Sequence, residues 1–334
     1  MNLIFRSLLL IFILLSILYL LGPEPSKPVL GLELPGITAD LGLLEQQMKR
    51  KEQAEPVKTD NEARIIWAND TLKEKTSWSM LYLHGFSASW YEGYPVNLDF
   101  VREFECNAYF PRLPGHGVES GDALLEMTPD ALWESSKEAL MISRRLGKKV
   151  LIMSCSSGST LALKLAAEFP EYVDGLILYS PNVRVNNAAA FLLSKPWGLQ
   201  IARMVYKGKY RVTNEDFNSK DCRYWHCRYR LESLVFLQQL VEKTMQKELF
   251  NRITCPVFLG YYFRDKDNQD DVVKVDAART MFQQLGTPAH MKREKAFPDA
   301  ETHIIACELF SKAVDDVRAE TFTFATDVLN MKPE

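Results

Sequence analysis

The chain is short of several things, and each shortage narrows what it can do. It has no basic excess: 40 Lys and Arg against 43 Asp and Glu leave a formal net charge of -3, so nothing argues for a nucleic-acid partner. Cysteine is sparse, with six residues in 334. They are scattered as Cys106, Cys155, Cys222, Cys227, Cys255 and Cys307, which excludes a disulfide framework as the basis of the fold. Only Cys222 and Cys227 sit close together. Histidine is also scarce, at five residues, and that makes elimination among them informative. Otherwise the composition is globular, with 47% hydrophobic and 25% charged residues, and the chain is long enough for one large core or a domain with an insertion.

The apolar run from Leu8 to Leu21 opens the chain, behind Arg6. It is longer than most core helices and shorter than the ~20 residues of a comfortable membrane span. Bulky Tyr19, Leu20 and Leu21 precede Gly22-Pro23, so a small-x-small cleavage site is missing there. Residues 1–22 therefore read as a signal anchor in preference to a cleaved signal peptide, with Arg6 held inside by the positive-inside rule. Either reading makes the protein membrane-anchored or exported, with its catalytic part outside the cytoplasm, where Cys222 and Cys227 could pair. Residues 23–60 hold prolines 23, 25, 28, 35 and 56 around a polar helical stretch from Thr38 to Ala54. They read as a tether and docking helix, which leaves 61–334 as the main domain.

Within that domain, strands are expected at Arg64 to Ala68, Trp78 to His84, Asn107 to Leu113, Lys149 to Cys155, Val173 to Ser180, Cys255 to Phe263 and Met291 to Phe297. Helices are expected at Thr128 to Leu146, directly after Ser156, at Val275 to Leu285 and at Leu309 to Leu329. This alternation predicts an α/β fold with a mainly parallel sheet covered on both faces. It stops between Pro181 and Thr254, and an insertion of that length reads as a mostly helical cap, at about 186–252, over the carboxyl edge of the sheet. The cap holds a helix-like apolar run from Ala188 to Val205, an aromatic and basic patch from Tyr206 to Arg230, and an amphipathic run from Leu231 to Phe250.

The chemistry concentrates at Ser154-Cys155-Ser156-Ser157-Gly158. A buried strand breaks at small residues and resumes as a helix, which presents Ser156 at a tight turn in the manner of a nucleophile elbow. The usual elbow is G-x-S-x-G, and Ser154 here replaces its first glycine. A serine nucleophile requires a histidine base held by a carboxylate. His84 and His116 each precede a glycine at a strand end, His226 lies in the insertion and His290 directly precedes a strand. His303, on the loop after the last strand and before the last helix, can reach over the sheet edge and is the candidate base. The acid should lie on the aspartate-rich loop after the Cys255 to Phe263 strand, among Asp265, Asp267, Asp270 and Asp271. Its register against Val272-Val273 and the next helix favours Asp270, with Asp265 next. The oxyanion needs two backbone N–H donors, expected from Ser157, directly after the nucleophile, and from Phe86 in the His84-Gly85-Phe86 turn.

Leu83-His84-Gly85-Phe86, Leu113-Pro114-Gly115-His116-Gly117, the Ser156 elbow, the acid loop and His303 occur in an order that resembles the α/β-hydrolase superfamily. The similarity is to its serine hydrolase branch, monoacylglycerol lipase-like and carboxylesterase-like, over about Arg64 to Leu329. The resemblance implies Ser156 as nucleophile, His303 as base, an acid in the Asp265 to Asp271 loop, and cleavage of a lipid or small acyl ester with no cofactor or metal. Aminopeptidase or thioesterase action, or a non-catalytic binding member, are the alternatives. Aspartate-nucleophile members such as haloalkane dehalogenases and epoxide hydrolases are disfavoured by the serine.

Three smaller features stay open on the sequence. Cys222 and Cys227 form either a disulfide in the cap or two free thiols, because three potential ligands with no fourth argue against zinc. Trp90, Tyr91 and Tyr94 line an acyl pocket or pack under the cap. Cys155 is most simply a small buried core residue.

Overall fold

The structure, a computed structural model, describes residues 3–333; Met1, Asn2, Glu334 and the side chains of Leu3, Ile4, Leu15 and Arg6, the last of which was expected to orient the segment, lie outside the described residues. Seven strands form one sheet in the order β1-β3-β2-β4-β5-β8-β9. They are β1 (Arg64–Ile66), β2 (Thr76–Leu83), β3 (Asn107–Phe110), β4 (Gly147–Cys155), β5 (Gly175–Tyr179), β8 (Val257–Tyr261) and β9 (Lys292–Ala296). Only β1 runs antiparallel to its neighbour, with Arg64 opposite Phe110; the other pairings are parallel.

A parallel sheet covered on both faces needs strands that are apolar where they are covered, and β4 supplies one: after exposed Lys148 and Lys149, Val150, Leu151, Ile152 and Met153 are all fully buried. Each such side chain contributes roughly 1.5–3 kcal/mol relative to exposure. The two-residue period of a strand divides them between two cores. Leu81, Leu83, Val150, Ile152, Leu176 and Leu178 face α4 (Pro129–Leu146) and α5 (Ser157–Glu168). Met80, Tyr82, Leu151, Met153, Ile177 and Tyr179 face α3 (Val96–Glu103) and α11 (Val314–Asp327).

The segment between β5 and β8 holds a 3-10 turn (Ala190–Ser194), α6 (Gly198–Val205), β6 (Tyr210–Val212), α7 (Lys220–Tyr224), β7 (Arg228–Arg230), α8 (Glu232–Thr244) and α9 (Lys247–Phe250). It is thus mostly helical, but β6 and β7 pair as a small antiparallel ribbon that the sequence reading did not expect. Cross-strand stacking accounts for it, because the Arg228 guanidinium lies 3.5 Å from the centre of the Tyr210 ring. The run from Ala188 to Val205 is not one helix. Pro196 interrupts it, lacking the N–H a continuing helix needs, and Trp197 turns at φ 67°. Cys222 and Cys227 are joined as a disulfide, which decides between the two states open on the sequence.

Two further differences have local causes. Helix α3 was missed, being a single short element behind Pro95. The last helix begins at Val314 and not Leu309, because the Ser311 hydroxyl caps Ala313 N–H in a local turn and Asp315 and Asp316 favour a helix start just beyond. At the amino end, α1 (Leu3–Leu20) is helical, yet no helix among the described residues is long and apolar enough to cross a membrane. The signal-anchor expectation therefore gains no support from the structure.

The tether docks through its backbone. Helix α4 starts with Thr128 capping Ala131 N–H and Pro129 in its first turn, and the polar groups along it collect the tether. Asp130 accepts the N–H groups of Val29 and Leu30 at 2.9 and 2.7 Å. Trp133 and Lys137 donate to Gly31 C=O, and Lys137 also to Glu33 C=O. Lys137 is 1% exposed, so these carbonyls replace its water. Farther along the chain, α2 (Leu41–Gln53) docks by Leu44, Met48 and buried Glu52, whose carboxylate accepts from Arg112 at 2.7 Å.

Replacing Lys137 by Met removes the donor to the Glu33 carbonyl and one of the two donors to the Gly31 carbonyl, which keeps Trp133 Nε1, at a cost of roughly 1.5–3 kcal/mol for bonds from a charged donor. We expect a lower urea midpoint and faster proteolytic nicking within residues 23–36 of K137M; an unchanged midpoint would show the tether contributes nothing to the fold.

Candidate active site

The turn between β4 and α5 is set by one close approach. A Cβ on Gly158 would lie 2.0 Å from the carbonyl oxygen of Leu83 and 2.6 Å from that of His84, so only glycine lets α5 meet the end of β2. The chain therefore reverses within one residue, and Ser156 takes it at φ 52°, ψ -120°. Such a conformation costs a non-glycine residue about 1–3 kcal/mol. Hydrogen bonds on both sides hold it: Ser156 N–H donates to Tyr179 C=O, and Ser156 C=O accepts from Ser159 and Asn182 N–H, each at 3.0 Å. Ser154, where the usual motif has glycine, is fully buried, and its hydroxyl pairs with Ser159 Oγ at 3.0 Å and reaches Ile177 C=O at 3.3 Å. A serine fits there because its one polar atom is satisfied.

The loops after β8 and β9 bring the other two candidates together. Of the four loop aspartates, Asp270 is buried, whereas Asp265, Asp267 and Asp271 are exposed. Asp265 spends its carboxylate on its own loop, accepting from Asp267 and Asn268 N–H. One oxygen of Asp270 accepts from Val272 and Val273 N–H at 2.9 and 3.0 Å, and the other lies 2.6 Å from Nδ1 of His303. Burial alone would raise the Asp270 carboxyl, but the charge and hydrogen bond of His303 and the two amides outweigh it and hold it below the ordinary carboxylate value. Burial likewise disfavours charge on His303; the Asp270 charge and hydrogen bond, with Glu92 and Asp271 behind, overcome this and raise its pKa above the ordinary 6.5. His303 Nε2, the nitrogen turned away from Asp270, is buried and has no hydrogen-bond partner among the described residues.

The remaining histidines are otherwise employed. His84 Nδ1 bonds Gly85 C=O and its Nε2 accepts Leu113 N–H, while His116 Nδ1 bonds Pro114 C=O and its Nε2 accepts Ser87 N–H. They tie the two glycine loops together as neutral rings, with burial bringing His84 to about 4. His226 is buried in the insertion with a pKa of about 3, and His290 is exposed.

Both expected oxyanion donors lie at this edge. Ser157 opens α5, where the first N–H groups have no intrahelical acceptor, and Phe86 follows Gly85. Neither N–H has an acceptor among the described residues. The Phe86 ring packs edge-on against Tyr229 of β7 at 5.1 Å, and Ser87 C=O accepts His226 N–H, so the insertion braces this turn. Trp90, Tyr91 and Tyr94 pack under the insertion: Tyr91 stacks on Tyr224 of α7 at 4.0 Å and Trp90 Nε1 donates to Asp60 C=O. The sequence reading passed over Glu92, a carboxylate within that aromatic stretch that is 2% exposed and accepts Gly85 N–H. Its signal was a lone acid among apolar residues directly after the His-Gly turn. Asp221 lies with Cys222 and Cys227 as three donors within 4.8 Å, but the two sulfurs are joined in the disulfide and offer no thiolate.

A family model described as the alpha/beta hydrolase family matches residues 80–306. No curated protein matches the sequence. Among solved structures, a lipolytic enzyme from the metagenome-derived LipS and LipT study is 15% identical with a TM-score of 0.62, covering 80% of this chain and 98% of that one. The monoacylglycerol lipase of Paleococcus ferrophilus is 16% identical with a TM-score of 0.56, covering 78% and 96%. Est1E from Butyrivibrio proteoclasticus, solved with ferulic acid bound, is 15% identical with a TM-score of 0.51, covering 80% and 95%. These likenesses are of fold.

The electrostatics of the Asp270 and His303 pair can be read directly. With Asp270→Asn, only the charges of Glu92 and Asp271 remain to oppose burial at His303, and we expect its pKa by NMR titration to fall by roughly one unit or more. Because the native value is raised, the stability that His303 protonation contributes is present below about 6.5 and lost as pH rises through the native pKa; this dependence should flatten in D270N. A titration unchanged by the substitution would show that the pair is not coupled.

Proposed function

The chain belongs to the alpha/beta hydrolase family, and from that premise we propose that it is a serine hydrolase that cleaves a carboxylic ester through an acyl-Ser156 intermediate. One observation carries the reading: a serine held at a strained φ of 52° at the head of a helix shares the carboxyl edge of the sheet with a buried histidine whose pKa is raised by a buried aspartate. In the proposed reaction, His303 Nε2 takes the proton of Ser156 Oγ as that oxygen attacks the ester carbonyl. Phe86 and Ser157 N–H groups receive the negative charge that develops on the carbonyl oxygen. The tetrahedral species collapses, the C–O bond to the alcohol breaks, and His303 returns its proton to the leaving alkoxide. Water, activated by the same nitrogen, then releases the acid and restores Ser156.

Asp270 keeps Nδ1 protonated and Nε2 free to act as base, which is the role its hydrogen bond supports. The lipolytic and esterase structures to which the fold is similar favour ester substrates over other acyl compounds. Ser156 and His303 are 6% and 9% exposed, which suits an apolar acyl group that excludes water as it binds. We also propose an oxidising compartment for the protein, supported by the Cys222–Cys227 disulfide.

A fluorophosphonate probe tests the assignment. The wild type is expected to be labelled and to hydrolyse nitrophenyl esters, and Ser156→Ala to lose the adduct and roughly 10⁴-fold or more of the activity. An unlabelled wild type, or an adduct that survives in S156A, would overturn the proposal. A series of nitrophenyl esters of increasing chain length then reads the acyl preference.

A further inference from the structure

Beside the proposed oxyanion turn lies a buried acid that the hydrolytic scheme leaves unused. Glu92 sits in the turn Trp90–Gly93, 2% exposed, and its Oε2 accepts the Gly85 N–H. A Cβ on Gly85 would lie 2.6 Å from Glu92 Oε1 and 3.0 Å from Ser156 Cβ, so this carboxylate and the elbow serine press on the same glycine. The Cys155 side chain, one residue before the nucleophile, faces it as well. Glu92 therefore touches the oxyanion turn on one side and the nucleophile's own strand on the other.

The titratable groups that face it are Tyr82 on β2, Cys155 on β4, and His303 and Cys307 beyond β9. Burial raises Tyr82 and both thiols, Cys307 to about 12, so these stay neutral. His303 faces Asp270, Asp271 and Glu92, and among the described residues it is the one neighbour of Glu92 able to carry a positive charge. Neither lysine nor arginine pairs with Glu92 among the described residues. A buried carboxylate with one hydrogen-bond donor, the Gly85 N–H, and no permanent cation is costly to keep. A positive charge arises beside it only when the imidazole of His303 is protonated, as it is in the proposed reaction while it holds the serine proton.

We propose that Glu92 is a positioning residue: ionised, it pins the Gly85 amide so that the Phe86 N–H stays aimed at the reacting carbonyl, and it joins Asp270 in stabilising the imidazolium of His303. The inference rests on the serine hydrolase reading above. Burial lifts the Glu92 carboxyl to about 7, against the pull of the Gly85 hydrogen bond and the His303 charge. Activity then requires two deprotonations in the neutral range, Glu92 and His303, and both fall on the acid limb of the pH profile.

The test is the pH dependence of kcat and kcat/KM on nitrophenyl butyrate. For the wild type, the acid limb of log kcat/KM steepens toward a slope of two. In Glu92→Gln, which keeps the shape and an acceptor for Gly85 N–H, the slope returns to one and the midpoint falls by about one unit, because removing a negative charge lowers the His303 pKa. Its kcat drops roughly tenfold with KM little changed. Glu92→Asp, which keeps the charge, retains the wild-type midpoint at reduced kcat. A wild-type limb of slope one overturns the inference even if E92Q does not fold, and so does an E92Q profile that superimposes on the wild type. In that case fluorophosphonate labelling of wild-type Ser156 persists and the hydrolase reading stands; a wild type that takes no label removes both.

Discussion

The candidate site depends on the contact between the start of α5 and the end of β2. Because Gly158 admits the Leu83 and His84 carbonyls where any Cβ would collide, the helix begins directly at the strand end and its first amides lie beneath Ser156. The strain this puts on Ser156 is offset by bonds from Tyr179 on β5 and Asn182 beyond it. The nucleophile candidate is therefore fixed by three adjacent strand ends at once, β2, β4 and β5. The register between them, with Leu83 opposite Ser154 and Cys155 opposite Tyr179, decides the height at which the hydroxyl stands above the sheet.

Burial by itself does not make a base. His84 and His226 are as enclosed as His303, and without a carboxylate partner they fall to about 4 and 3. His303 alone among the three has a buried acid at 2.6 Å, and its pKa rises. Desolvation acts on all of them with the same sign, so the Asp270 contact decides the outcome. Asp270 in turn keeps its charge because the chain turns back on it, giving it two amides within three residues. A loop carboxylate without that turn, such as Asp265, ends up exposed and bonded to its own neighbours.

The strands and the order of the site were legible because buried parallel strands are continuous apolar runs, and because a serine between a strand and a helix has few structural uses. Asp270 was legible only by register, since four aspartates in one loop are alike as letters. What separates them is which one the turn buries. Glu92 was legible only as a lone acid among apolar residues: its meaning depends on Gly85, seven residues earlier, bringing its amide to the carboxylate, and no period or motif encodes that approach. The β6 and β7 ribbon was hidden for a related reason. Its three-residue strands are too short to show alternation, and side-chain stacking across the pair sustains them.

The insertion and the tether meet the site from the same side. Lys58 Nζ donates to the carbonyls of Cys222 and Trp225, Asn61 donates to Arg223 C=O, and Asp60 accepts from both Trp90 Nε1 and Tyr224 Oη. Three residues ahead of β1 thus stitch the disulfide loop to the turn that carries Glu92. A disulfide with a sequence separation of 5 restricts the unfolded chain only slightly, so its effect is on local geometry more than on stability. It holds Trp225 and His226 where His226 N–H meets Ser87 C=O, one residue beyond the proposed oxyanion donor Phe86. The same backbone contacts that close the insertion over the site therefore also set the shape of the turn on which the proposed reaction relies.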